Sequence, residues 1–196
     1  MRKIDPAKHE ERRQQILEAA GRCFTRDGFR GASMADICAE ANMSSGHVYH
    51  YFASKEAIIS AMIEGNLARA MTRFECMMRN PNLIDGFFAE IKRARRRQAD
   101  QSLMQDMLAE AGRNPVIADI LRAHTLGVRS MLATFIRKAQ EKGQVDPGLD
   151  ADTAAAVLLA VFDGAKAMTT RDPELNDAQS REYIKTLFTR FLRPPE

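Results

Sequence analysis

No pair of cysteines in this chain is spaced to work together. Of 196 residues only three are cysteine, Cys23, Cys38 and Cys76. They are odd in number, widely separated and free of any C-x-x-C, which argues against a disulfide framework or a thiolate zinc site and for a reducing compartment. Long apolar runs are missing too. No stretch approaches the ~20 residues that a membrane span needs, and the opening Met-Arg-Lys-Ile-Asp-Pro leads into the charged KHEERRQQ, not into an apolar signal core. The expectation is a soluble, cytoplasmic protein with no membrane partner. An excess of charge of one sign is missing: the net is +3, and residues 1–56 hold nine Lys/Arg against eight Asp/Glu. Bulk positivity therefore identifies no nucleic-acid binder, and any such surface depends on where individual cations sit. There is no E-x-x-H, no H-E-x-x-H, no P-loop and no glycine-rich nucleotide fingerprint. A helical-bundle enzyme thus lacks a chemical constellation, and neither a cofactor nor a metal is expected.

Alternating runs bounded by turn residues are absent as well, whereas apolar residues recur at three- and four-residue spacing almost throughout. The class expected is all-α, with about nine helices. Asp5-Pro6 opens the first, which buries Ile16, Ala20, Cys23 and Phe24 and stops at Asp27-Gly28. Ser33 caps a short second helix with Asp36 at its third position, and Asn42-Met43 makes a turn. Ser44 caps a third short helix and Ser54 a long fourth. Longer helices follow over roughly 83–98, 101–111, 115–142, 151–171 and 178–192. Asn114-Pro115 is a strong start signal and Lys142-Gly143 a stop. The division expected is a head over 1–53 and a body over 54–196.

Two short helices with a tight turn behind a scaffold helix are the parts of a helix-turn-helix, whose second helix must show its outer side chains to DNA while apolar residues anchor its back. Met43-Ser-Ser-Gly-His-Val-Tyr-His-Tyr-Phe52 meets that need. Val48 and Phe52 lie four apart and face inward, leaving Ser45, Gly46, His47, Tyr49 and His50 on other faces. Gly46 permits close backbone approach, and the hydroxyl, imidazole and phenol groups supply donors. Lys55, at the start of the next helix, combines its own cation with a positive helix end and is expected to clamp a phosphate.

The run ILEAAGRCFTRDGFRGASMADICAEANMSSGHVYHYFASKEAII, from Ile16 to Ile59, resembles the DNA-binding segment of the TetR (tetracycline repressor) family. The shared elements are ILEAA with F-x-x-x-G-F, then G-x-S-M-x-D-I-x-x-x-A, then S-x-G-x-x-Y-x-Y-F-x-S-K-E. The resemblance implies a homodimer on palindromic double-stranded operator DNA that releases it on binding a small-molecule effector. It also implies a phosphate contact for Ser33, and phosphate or base contacts for Ser44, Ser45, Gly46, Tyr49, His50, Tyr51 and Lys55. Several relatives carry a longer side chain where this chain has Ser45, which shifts base reading toward Gly46, His47 and Tyr49. AEAGRNP and EKGQVDPGLDADTAAAVLLAVFDG are similar to the regulatory domain of many members, including the betaine-responsive branch, and this pattern is too widespread to carry an effector across.

In the body, the segment from Ala151 to Met168 is apolar nearly all round and the last helix adds further large side chains. Val157, Val161, Phe162, Ile184, Leu187, Phe188 and Phe191 are the expected dimer contacts, pairing as a four-helix bundle across a two-fold axis. Phe74, Met78, Met107, His124 and Phe135 sit on potentially facing helices and are the candidates for an apolar ligand cavity; ordinary core filling is the competing reading. His47 and His50 form an H-x-x-H with no third ligand at a fitting spacing, so the DNA surface is the preferred role. Cys23 and Cys38 fall on apolar faces and are expected to be inert packing. Lys92, Arg93, Arg95, Arg96 and Arg97 spread over roughly 200° of a helix, mostly as a solvated face. An architectural DNA-binding protein is a further alternative, but the large body without a basic face has no place in it.

Overall fold

The computed structural model describes residues 5–79, 82–94, 99–172 and 178–193, and every regular element among them is a helix. The elements are α1 (Pro6–Gly31), α2 (Met34–Ala41), α3 (Ser45–Tyr51), α4 (Lys55–Met77), α5 (Leu83–Ala94), α6 (Ala99–Ala111), α7 (Pro115–Glu141), α8 (Ala151–Arg171) and α9 (Ala178–Leu192). Of the basic run in α5 and beyond it, Arg95, Arg96 and Arg97 lie outside the described residues.

Packing divides the chain into two compact units. The first takes the described residues up to Ala68 together with those of 99–124, and the second those of 69–94 and 125–193. The head expected over 1–53 falls within the first unit, which also takes in the first half of α4, α6 and the start of α7. Its core joins Ile16, Ala20, Cys23 and Phe24 of α1 to Ile37 of α2, Val48 of α3, Ile58 and Ile59 of α4, Met107 of α6 and Ile117 of α7, all buried. Burial pushes the Cys23 thiol up, which keeps it protonated and unreactive.

The stop expected at Asp27-Gly28 is a kink within α1. Gly28 has φ 69° and ψ 170°, outside the helical region, and the chain closes one more turn to Gly31. Here glycine meets two demands, since a side chain would be strained at this φ and a Cβ would come within 3.1 Å of Asp106 Oδ2 on α6.

The second unit is built on aromatic rings. Phe74 of α4 meets Phe135 of α7 edge-on at 6.0 Å, Phe135 stacks on Phe87 of α5 at 4.9 Å, Phe87 meets Phe162 of α8 at 6.0 Å, and Phe162 stacks on Phe188 of α9 at 4.5 Å. Offset and edge contacts at these separations add to what burial alone contributes. Gly143, with φ 67°, ends α7. Gln144 N–H then donates to Ala139 O at 2.8 Å, and Gln140 Nε2 donates to Asp146 O and Leu149 O at 2.8 Å each, so the turn into α8 is held by main-chain acceptors.

Candidate nucleic-acid interface

The turn between α2 and α3 is specified by caps at both ends. Ser33 and Asp36 form a reciprocal capping box: Asp36 N–H donates to Ser33 Oγ at 3.1 Å, while Ser33 N–H and Ser33 Oγ–H both donate to Asp36 Oδ2, at 2.8 and 2.6 Å. These bonds hold the Asp36 carboxyl below the usual carboxylate range. The hydroxyl proton expected to meet phosphate is therefore engaged within the box. Asn42 ends α2 in the left-handed region, φ 53° and ψ 48°, a conformation that costs asparagine little. Ser44 Oγ then accepts from His47 N–H at 3.3 Å and opens α3. Arg22 Nε donates to Glu40 Oε1 at 2.6 Å, which ties α1 to the end of α2 and draws the Glu40 carboxyl down.

On α3 the back is buried and the front is not. Val48 is fully buried and Phe52, just past the helix end, is nearly so, whereas Ser45, Gly46, His47, Tyr49 and His50 are exposed. Tyr49, 52% exposed, has its phenol clear of the core. A Cβ at Gly46 would meet nothing within 4 Å, so no internal packing calls for glycine at this position.

Lys55 is occupied differently from the expectation. Its Nζ donates to Phe29 O at 2.8 Å and Ala32 O at 2.7 Å and lies 4.8 Å from the centre of the Phe29 ring. Two of three N–H bonds thus satisfy carbonyls at the end of α1, leaving one for a phosphate. Tyr51 is half-buried, with its ring 4.6 Å from that of His9 and 5.4 Å from those of His47 and His50. His9 was not among the residues expected here, nor was Arg13, whose guanidinium lies 5.5 Å from the centre of the Phe52 ring. The signal for both is the apolar stripe of α1 continued backward: from Ile16, steps of three and four residues land on Arg13 and His9. Among the described residues no group of three His, Cys, Asp or Glu is arranged to hold a metal.

Comparison with known proteins decides the family. The pattern described as "Bacterial regulatory proteins, tetR family" matches residues 16–62, and that described as "BetI-type transcriptional repressor, C-terminal" matches residues 84–193. The chain belongs to the TetR family. The HTH-type transcriptional regulator UidR of Escherichia coli K12 is 33% identical over 176 residues, 89% of this chain and 90% of that one. The HTH-type transcriptional repressor KstR2 of Mycobacterium tuberculosis H37Rv is 28% identical over 146 residues, 72% of each. The structure of Salmonella enterica GusR has a TM-score of 0.79 at 32% identity and covers 93% of this chain and 95% of its own. This TetR-family protein is a helix-turn-helix transcriptional regulator.

In the second unit of this TetR-family chain, Phe74, Met78 and Phe135 come together, with Phe135 fully buried. Met107 is a core residue of the first unit, and His124, partly buried, belongs to that unit as well. Phe74 and Met78 line a groove of about 580 Å³ between α4 and α7, together with Met71, Met131, Ser130, Thr134, Arg79 and Lys138. Of the expected dimer contacts, Val157, Leu187 and Phe191 are exposed, and Val161, Phe162 and Ile184 are half-buried. Phe188 is 0% exposed and stacked on Phe162 within the second unit. Tyr183 of α9 is 67% exposed.

Two substitutions separate folding from DNA contact. Gly46→Ala should leave stability unchanged or raise it by about 0.5–1 kcal/mol, while weakening duplex binding if the backbone approaches DNA there. Lys55→Ala should lower stability by about 1.5–3 kcal/mol through its two charge-assisted bonds. Denaturant unfolding with duplex titration reads both. A Lys55→Ala protein of unchanged stability whose salt slope drops by roughly one counterion would return that side chain to a phosphate clamp.

Proposed function

We propose that this regulator is a repressor that holds a roughly palindromic operator as a homodimer and lets go when a small molecule occupies its second unit. The observation that carries the reading is the division of α3: Val48 fastens its back, while Ser45, His47, Tyr49 and His50 stand exposed on its front. A short helix held this way is suited to entering a major groove, where hydroxyl, imidazole and phenol groups meet phosphates and base edges. The protein acts in the cytoplasm and needs neither cofactor nor catalytic group.

Dimerisation is supported by the outer faces of α8 and α9. On α8 the exposed positions Thr153, Val157, Ala160, Gly164 and Met168 recur every three or four residues, a small-residue stripe that lets a second helix approach. On α9, Tyr183, Leu187 and Phe191 repeat at four. Covering such apolar faces with a symmetry mate is the common outcome in closed dimers. The effector site is the groove between α4 and α7, with an apolar floor of Phe74, Met78 and Met131 and with Ser130, Thr134, Arg79 and Lys138 as polar groups to fix orientation.

Footprinting the purified protein on genomic DNA tests the operator, and Tyr49→Ala tests its reading. That variant should lose about 1–3 kcal/mol of discrimination between operator and scrambled duplex; an equal loss on both would reduce Tyr49 to a phosphate anchor. Leu187→Asp should shift sedimentation from dimer to monomer with helical content intact, because it places a carboxylate in the contact without entering the core. A wild-type protein that sediments as a monomer at micromolar concentration would remove the dimer. For the groove, Thr134→Trp should abolish the fluorescence of a bound aromatic sulfonate dye and leave duplex affinity intact; undiminished dye binding would place the ligand elsewhere.

A further inference from the structure

Three of the four histidines of this chain gather at one place. His47 and His50 come from α3 and His9 from the first turn of α1, and all three rings lie within 5.4 Å of the Tyr51 ring. Tyr51 is half-buried and packs against the core of the first unit, with the His9 ring tilted 38° to it, the His47 ring tilted 59° and the His50 ring at 86°. We propose that His9 is part of the DNA-binding surface, forming with His47 and His50 an imidazole triad around Tyr51 that takes up protons when duplex DNA binds. This rests on the reading of α3 as the DNA-contacting helix.

Imidazole is the side chain that ordinarily changes charge between pH 5 and 8. What faces the triad decides which form is favoured. On α1 the charged groups one turn from His9 are Asp5, Arg12 and Arg13. Asp5 is engaged as the cap of that helix, Arg12 donates to Gln15 and Arg13 pairs with Glu10. On α3 the titratable neighbours are the triad itself and Tyr49. At the start of α4, Lys55 is directed at Phe29 and Ala32, and Glu56 is half-buried. None of the three imidazoles has a carboxylate within ion-pair distance among the described residues.

Among the described residues no carboxylate pairs directly with these imidazoles, whereas DNA supplies a dense row of phosphates. Binding DNA then favours the charged form, so the complex holds more protons than the separated partners. By linkage, affinity rises as pH falls, about tenfold per pH unit for each proton taken up. Mutual repulsion of three cations around one ring keeps the uptake below three.

The test is calorimetry of the full-length protein with a mixed-sequence duplex of about 30 base pairs, enough for two half-sites about 10 base pairs apart. Low salt near neutral pH and two buffers of different ionisation enthalpy give the proton uptake directly. The wild type should take up on the order of one proton per protomer. His9→Gln should take up measurably fewer, with its helical content checked by circular dichroism. His9→Lys, a fixed cation, should bind more tightly than His9→Gln at about pH 8, yet still show the reduced uptake. Equal uptake by wild type and His9→Gln would remove His9 from the surface, and pH-independent binding by the wild type would overturn the triad while leaving α3 as a DNA-contacting helix. Absence of duplex binding at any pH would defeat the reading of α3 itself, and the proton linkage with it.

Discussion

The head of this protein is closed by one ammonium group, and the placing of its helix-turn-helix depends on it. Phe29 and Ala32 sit where α1 runs out, with carbonyls that the helix can no longer satisfy, and Lys55 begins α4 on the far side of α2 and α3. A cation at a helix C-terminus is favourable by itself, and two short charge-assisted bonds fix it in place. The intervening segment becomes a loop with tied ends, inside which the capping box at Ser33, the left-handed Asn42 and the cap at Ser44 decide the path. Each is a local device, but they act on a segment whose two ends are already held.

The two units distribute polar and apolar surface in different ways. In the first, α1, α2, α3, α4, α6 and α7 share one largely aliphatic core with Phe24, Phe29 and Phe52 in it, and the outer face of α3 takes no part in it. In the second, a line of phenylalanines from Phe74 through Phe188 links α4, α5, α7, α8 and α9. Rings in edge and stacked contact leave little freedom for one helix to turn without its neighbour, as expected of densely packed interiors.

Apart from the kink at Gly28, what depends on neighbours along the chain was legible in the residues alone. Caps at Asp5, Ser33, Ser44 and Ser54, the four-residue spacing of Val48 and Phe52, and Pro115 as a helix start all act within one turn of themselves. Side chains that choose between distant partners were not. Lys55 reads equally well as an arm toward phosphate until the end of α1 is known to lie beneath it. Phe188 and Leu187 are both large, apolar and adjacent, and only the position of Phe162 decides which one turns inward. In the same way, periodicity names the buried face of α6 without naming α1 as its partner.

The open space around Gly46 and the solvated positions beside it bear on how such a protein changes over generations. Ser45, His47, Tyr49 and His50 are exposed, and replacing surface residues of this kind typically moves stability by no more than about 0.5 kcal/mol. Anchoring resides in Val48, Phe52 and Lys55, so if α3 reads DNA as proposed, the preferred sequence can drift by exchange of outward-facing side chains while the scaffold beneath stays folded. Tyr51 is the exception, with one side in the core and the other against three imidazoles. A lineage acquiring new target sites would be expected to vary the exposed positions such as Ser45 and Tyr49 and to keep the Tyr51 ring with Val48 and Phe52.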